Sequence, residues 1–215
     1  MQINMPDIPM REVLHFLGWH GTPVEDRIIN QIHFSIRQAR SELQPHVVTR
    51  YFSFDEERCL TGTVFTPKGN DIHRMLSSCD GAVLMAATLG AKSERMLLRC
   101  QARSGAEALI LDAVFSAAIE AVCDEQERML RKEYHGLHLT DRFSPGYGDM
   151  PIEQTKEICA VLQAEKAMGL TVSASGIMIP RKSVTAILGA SSQPQPRRAS
   201  PCLNCTMRNT CALRE

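Results

Sequence analysis

Neither sign of charge is in excess in this sequence. Its 24 lysines and arginines are balanced by 24 aspartates and glutamates, so no global field draws the chain toward nucleic acid or an anionic membrane. Long apolar runs are missing too: no stretch approaches the roughly 18–20 consecutive apolar residues of a membrane span. Met1 to Arg11 lack the basic segment followed by an apolar one that marks a secretory leader. A soluble, cytoplasmic protein is expected, with neither nucleic acid nor membrane among its partners. Phosphate loops are likewise absent: Gly62, Gly69, Gly81 and Gly90 do not compose one, and no GxGxxG follows a strand-like run. The histidines His15, His20, His33, His46, His73, His135 and His138 stand at no spacing to Ser, Cys or Glu that suggests a hydrolase or zinc protease, and they read as structural or surface residues.

What is present is one core's worth of chain: 215 residues, 44% hydrophobic, enough for a single sizeable domain and a small appended module. Cys59, Cys79, Cys100, Cys123 and Cys159 are scattered singly and read as reduced, buried small hydrophobes. Cys202, Cys205 and Cys211 instead crowd together at the end and need their own explanation.

Helical spacing of Ile28, Ile32, Ile36 and Leu43 predicts an amphipathic helix over Val24 to Gln44, introduced by Gly21, Thr22 and Pro23. Val47 to Phe54 and Leu60 to Phe65 are rich in β-branched and aromatic residues around a charged turn, which predicts two strands forming a hairpin. Asn70 to Cys79 and Lys92 to Arg103 read as helices, with Gly81 to Leu89 as an apolar strand between them. Ala106 to Arg131 has no Pro or internal Gly and is almost wholly apolar from Leu109 to Cys123, so it should be the central helix. Its polar exceptions, Asp112, Ser116, Glu120 and Asp124, recur every fourth residue and form one stripe, facing either water or a ligand. His135 to Leu139 reads as extended, and Met150 to Ala167 as a helix capped by Asp149 with Pro151 in its first turn. Leu170 to Val172 and Gly176 to Ile179 read as strands, and Ser183 to Leu188 is a further apolar stretch.

Between these elements lies Arg142-Phe143-Ser144-Pro145-Gly146-Tyr147-Gly148-Asp149. Arginine offers a planar fork to a carboxylate, Pro and Gly set a turn that lets backbone approach a ligand, and tyrosine gives a ring face to a cation. A zwitterionic amino acid bearing a sulfonium would suit that set; an ordinary Pro-Gly turn with both side chains on the surface would also account for it.

The pattern Arg-x-x-x-Gly-Tyr, followed by a helix and then by Ser175-Gly-Ile-Met178-Ile-Pro180-Arg-Lys-Ser183-Val184, resembles the activation domain of vitamin B12-dependent methionine synthase. Similarity is clearest from Asp141 to Gly189, and the composition of the central helix and of Val13 to Arg50 fits stand-alone relatives of that domain. The resemblance implies an α+β fold, an antiparallel β-sheet flanked by helices. It also implies binding of S-adenosylmethionine, whose methyl group is presented to cobalamin that has been oxidised out of the catalytic cycle, coupled to one-electron reduction of cob(II)alamin. Arg142 would hold the ligand carboxylate, Tyr147 would lie near the adenosyl or sulfonium portion, and Ser144, Pro145 and Gly146 would contribute backbone contacts. Glu120 would pair with the ligand ammonium. The implied partners are the cobalamin-binding module of methionine synthase or a related corrinoid protein, which carries the cobalamin, and an electron donor. A tyrosine of the family falls at Leu188 here, removing an aromatic contact. Arg181 and Lys182 add charge that the scheme does not need and read as solvated.

Ala190 to Pro201, rich in Ser, Gln and Pro, reads as a linker between a domain over 1–189 and a basic tail over 202–215. Cys202-x-x-Cys205 and Cys211 supply three thiolates suited to an iron–sulfur cluster, a structural zinc or a redox-labile disulfide. The function expected is that of a reactivation subunit, inactive without its methyltransferase partner. A sensor of S-adenosylmethionine and an electron-transfer accessory built on the tail are the alternatives.

Overall fold

The computed structural model describes residues 1–19 and 23–194. Gly21 and Thr22 lie outside the described residues, as do Cys202, Cys205 and Cys211 and most of the expected linker. Seven helices and six strands are described: α1 (Met10–Phe16), α2 (Asp26–Glu42), β1 (His46–Ser53), α3 (Asn70–Leu76), β2 (Gly81–Thr88), α4 (Ala91–Gln101), α5 (Gly105–Glu133), β3 (His138–Leu139), α6 (Gln154–Val161), α7 (Ala164–Met168), β4 (Thr171–Val172), β5 (Met178–Ile179) and β6 (Ser183–Ser191). β1, β2, β6 and β3 form an antiparallel sheet in that order, and β4 and β5 form a separate ribbon. The α+β expectation therefore holds. No described helix is long and apolar enough to cross a membrane.

The sheet is covered on both faces, which is why β2 reads as one apolar run and is buried at all eight positions. Val83, Met85 and Ala87 point to one side, into a core shared with α1, α2, α4 and α5. Their alternates Ala82, Leu84 and Ala86 point to the other, into a core built with α3, α6 and the loop around Leu60. α5 is the centre of the first layer, packed against α1, α2 and α4. Ser104 begins it, accepting a hydrogen bond from the Glu107 N–H at 3.3 Å, with an acidic residue at that third position completing the sequence pattern of a capping box.

Three expectations are corrected. Val47 to Phe54 meets Leu60 to Phe65 only in a single antiparallel bridge, Phe54 to Leu60 at the turn, rather than along a hairpin; β1 pairs with β2 through eight residues, from His46 opposite Thr88 to Ser53 opposite Gly81. Leu60 and Phe65 are buried as apolar anchors of a local turn, in which the Leu60 N–H donates to the Phe65 carbonyl at 3.0 Å, while Val64 between them is fully out in solvent. The helix expected over Met150 to Ala167 starts only at Gln154 and breaks after Val161, where Gln163 takes a left-handed φ of 52° before α7 begins. Asp149 does not cap that helix either. Its carboxylate accepts from the Asn70 N–H at 2.7 Å and the Asp71 N–H at 3.0 Å, capping α3 from across the chain. β6 runs from Ser183 through Ser191.

Candidate functional site

The segment after β3 continues along the edge of β6. The Phe143 N–H donates to the Ile187 carbonyl at 2.9 Å, and the Ile187 N–H returns a bond of 2.8 Å. Extended backbone sends successive side chains to opposite sides. Phe143 therefore enters the core with Ile187, and Arg142 emerges on the side of α5.

There the polar stripe of α5 meets it. Arg142 pairs with Glu120 at 2.5 Å, with Asp124 at 2.6 Å, and with Glu127. One turn pair earlier, Lys182 lies 2.9 Å from the Asp112 carboxylate and donates to the Ser116 hydroxyl at 2.8 Å. The stripe is thus a row of acceptors for two cations delivered by the sheet side, not a plain solvated face. Lys182 is correspondingly corrected from a solvated residue to one held against α5. Arg181 pairs with Glu94 at 3.2 Å. Burial works against the Arg142 charge, but the carboxylates of Asp124 and Glu127 outweigh it and hold the guanidinium above the ordinary arginine range, permanently protonated.

Arg142 with Glu120, Asp124 and Glu127 forms one wall of a cleft of about 640 Å³. Arg142, Ser144, Pro145, Tyr147 and Glu120 all line it, as do Met178, Ser183, Val184 and Thr185, so the two sequence segments singled out above meet in a single cavity. Gly146 shapes the turn with a φ of 89° and a close approach to Ile152, and is not part of the lining. The turn is held by Gly146 N–H donating to the Met150 carbonyl at 2.9 Å, which leaves the Tyr147 ring largely exposed at the mouth. At its far end Gly148, with φ of 54°, passes so close to α3 that a Cβ there would stand 2.3 Å from an Asp71 carboxylate oxygen. At the other end of the cleft, the buried Ser183 hydroxyl donates to the Pro180 carbonyl at 2.6 Å and sits 2.8 Å from the Thr88 hydroxyl. Leu188 lies away from the cleft, wholly buried in the helical core and opposite Val83.

Electrostatically the cleft is acidic: Glu120, Asp124, Glu127 and Asp141 line it against the single guanidinium of Arg142. It suits a ligand that carries one anionic group among a surplus of positive charge. Glu127 was not singled out from the sequence because it stands three residues after Asp124, off the strict four-residue stripe; the run Glu120, Asp124, Glu127, Arg131 nevertheless follows one helix face. A second cavity of about 670 Å³ lies beside α6, α7 and β4, lined by Lys156, Cys159, Gln163 and Lys166 among others, and holds no residue of either segment. Burial pushes the Cys159 thiol up to about 11, so it is protonated and poorly nucleophilic at neutral pH. Cys79, Cys100 and Cys123 are buried as well, and Cys59 partly so. Among the described residues no group of three or more His, Cys, Asp and Glu side chains is placed to hold a metal ion.

The fold and cleft define a class: an α+β domain in which an arginine from the sheet edge meets a carboxylate-bearing central helix at a ligand-sized cavity. A solved structure shares that fold, the crystal structure of the MetH reactivation domain bound to AdoHcy. It superposes with a TM-score of 0.66 over 93% of this chain and 79% of its own, at 16% sequence identity. No protein-family model and no curated protein matches the sequence.

Proposed function

We propose that the cleft binds S-adenosylmethionine and that the protein is a reactivation subunit for a cobalamin-dependent methionine synthase. One observation carries this reading: Arg142 to Tyr147, the segment from Met178 to Thr185 and the carboxylates of α5 converge on one acidic cleft, in a fold shared with a reactivation domain that binds AdoHcy. S-adenosylmethionine has one carboxylate, one ammonium and one sulfonium, a net positive charge that matches the cleft. Arg142 would take the carboxylate bidentately, Glu120 the ammonium, and the exposed Tyr147 ring would face the sulfonium or the adenosyl group. Ser144 and Pro145 would offer backbone contacts.

The corrinoid, carried by a separate cobalamin-binding module, would accept the methyl group when an electron donor reduces it. This chain's residues would supply proximity and orientation only, so it is expected to be inactive without the partner. The tail thiols Cys202, Cys205 and Cys211 would add an iron–sulfur or zinc site; iron and zinc analysis of anaerobically purified protein tests that addition.

Calorimetric titration with S-adenosylmethionine, run on the wild type and on Arg142→Ala, tests the pocket. Binding that disappears in the variant supports it, and no binding to the wild type refutes it. Methyl transfer to cobalamin in a reconstituted mixture then separates reactivation from mere sensing of the ligand.

A further inference from the structure

Arg142 is surrounded by more counter-charge than it needs. Three carboxylates share one guanidinium, and they differ in access to water: the Glu127 side chain is 12% exposed, that of Glu120 41% and that of Asp124 71%. A carboxylate displaced from an arginine must recover hydration or suffer the cost of an unpaired buried charge. Asp124 and Glu120 can turn to solvent. Glu127 cannot.

Glu127 is tied in a second direction, to Arg131 at 3.1 Å. Arg131 in turn donates to the Leu139 carbonyl at 2.7 Å and to the Thr140 carbonyl at 3.3 Å, gripping the backbone that leads into Arg142. One stretch of α5 therefore holds Arg142 at both ends, its approach through Arg131 and its head through Glu127.

We propose that Glu127 and Arg131 are a positioning pair: Glu127 is the permanent counter-ion that keeps the Arg142 guanidinium aimed along the cleft, while Glu120 and Asp124 are the two that yield it to a ligand carboxylate. This deepens the S-adenosylmethionine reading and rests on it. A free arginine would lose several rotatable bonds' worth of freedom on clamping a ligand; one already held by Glu127 loses little. Release of Glu120 from the guanidinium also frees it for the ligand ammonium, so the exchange is one of partners, with no charge left bare.

The test is titration of wild type, Glu127→Gln, Glu127→Asp and Arg131→Ala with two ligands. One is S-adenosylmethionine; the other is its decarboxylated analogue, which keeps the ammonium and the sulfonium. A positioning role predicts that Glu127→Gln weakens S-adenosylmethionine roughly tenfold, the scale of one charge-assisted hydrogen bond, and leaves the analogue within about twofold. Glu127→Asp should recover part of the loss. Arg131→Ala should show the same split, which keeps the proposal open to refutation if Glu127→Gln does not fold. Equal losses for both ligands would mean that the pair only supports the fold, and unchanged or tighter binding of S-adenosylmethionine would make Glu127 a competitor; either overturns the positioning role alone. Failure of the wild type to bind either ligand overturns the underlying reading, and this one with it.

Discussion

Residues 142 and 143 are chain neighbours that should fail in opposite ways. Phe143 is 2% exposed and packed in the core beside Ile187, so Phe143→Ala removes a buried ring and leaves a cavity that costs about 3–5 kcal/mol. Arg142→Ala removes a partly exposed guanidinium. Two of its three carboxylates can rehydrate, so the loss should stay near 1–2 kcal/mol, below the ~3–5 kcal/mol of a fully buried broken pair. With a urea slope of about 2 kcal/mol/M, the midpoint should fall by roughly 1.5–2.5 M for Phe143→Ala and by under about 1 M for Arg142→Ala. Ligand affinity should show the reverse order: abolished in Arg142→Ala, and in Phe143→Ala retained in proportion to the fraction still folded. Urea denaturation followed by circular dichroism, paired with calorimetric titration, reads both quantities. A midpoint shift for Phe143→Ala no larger than that for Arg142→Ala would refute the alternation along the β6 edge, and with it the placement of the guanidinium in the cleft.

Other consequences are as direct. Gly148→Ala must hold a left-handed backbone while its Cβ meets the Asp71 carboxylate, so thermal melting should show destabilisation of at least about 1–2 kcal/mol. The Asp149 carboxyl is held below its ordinary value by the Asp71 and Asn70 N–H groups, and that of Asp80 by the Ser192 N–H. With folded values below unfolded ones, their contribution is present above about pH 4 and is lost as pH falls through the folded values. Melting temperature should therefore drop on acidification below pH ~4, less steeply in Asp149→Asn; parallel curves would count against the cap. In a brief iodoacetamide pulse at neutral pH, Cys123 and Cys159, whose thiols burial raises, should stay unlabelled in the native protein and react once it is denatured, as peptide mass mapping would show.

Local periodicity made the helices legible. α2, α4 and α5 lie within a few residues of where apolar spacing puts them, since each buries one face or, for α5, most of its circumference. Pairing was less legible. Val47 to Phe54 and Leu60 to Phe65 are close in sequence and alike in composition, and only the long-range demand of Gly81 to Thr88 for a partner on each edge decides between them. The break at Gln163 carries no sequence signal, because glutamine is not a residue that favours a left-handed turn.

The candidate site divides the same way. Its two sequence segments were recognisable as motifs, and they do share a cleft. What recognition missed were the residues that hold them there: Glu127 and Arg131 on α5, Lys182 against Asp112, and Asp149, whose pattern suggests a helix start just after it but whose carboxylate reaches back to α3. Each acts across some 8 to 80 residues of chain, and side-chain contacts over such spans leave no fixed spacing to read. A motif specifies which groups can meet a ligand. Whether they are aimed depends on such cross-chain contacts, and in this protein those contacts run to α5 at one end of the motif and to α3 at the other, so that the Arg142 to Asp149 loop is stretched between two layers of the fold. Mutations at Arg131 or Asp149, which lie outside the lining of the cleft, should therefore weaken it without touching it.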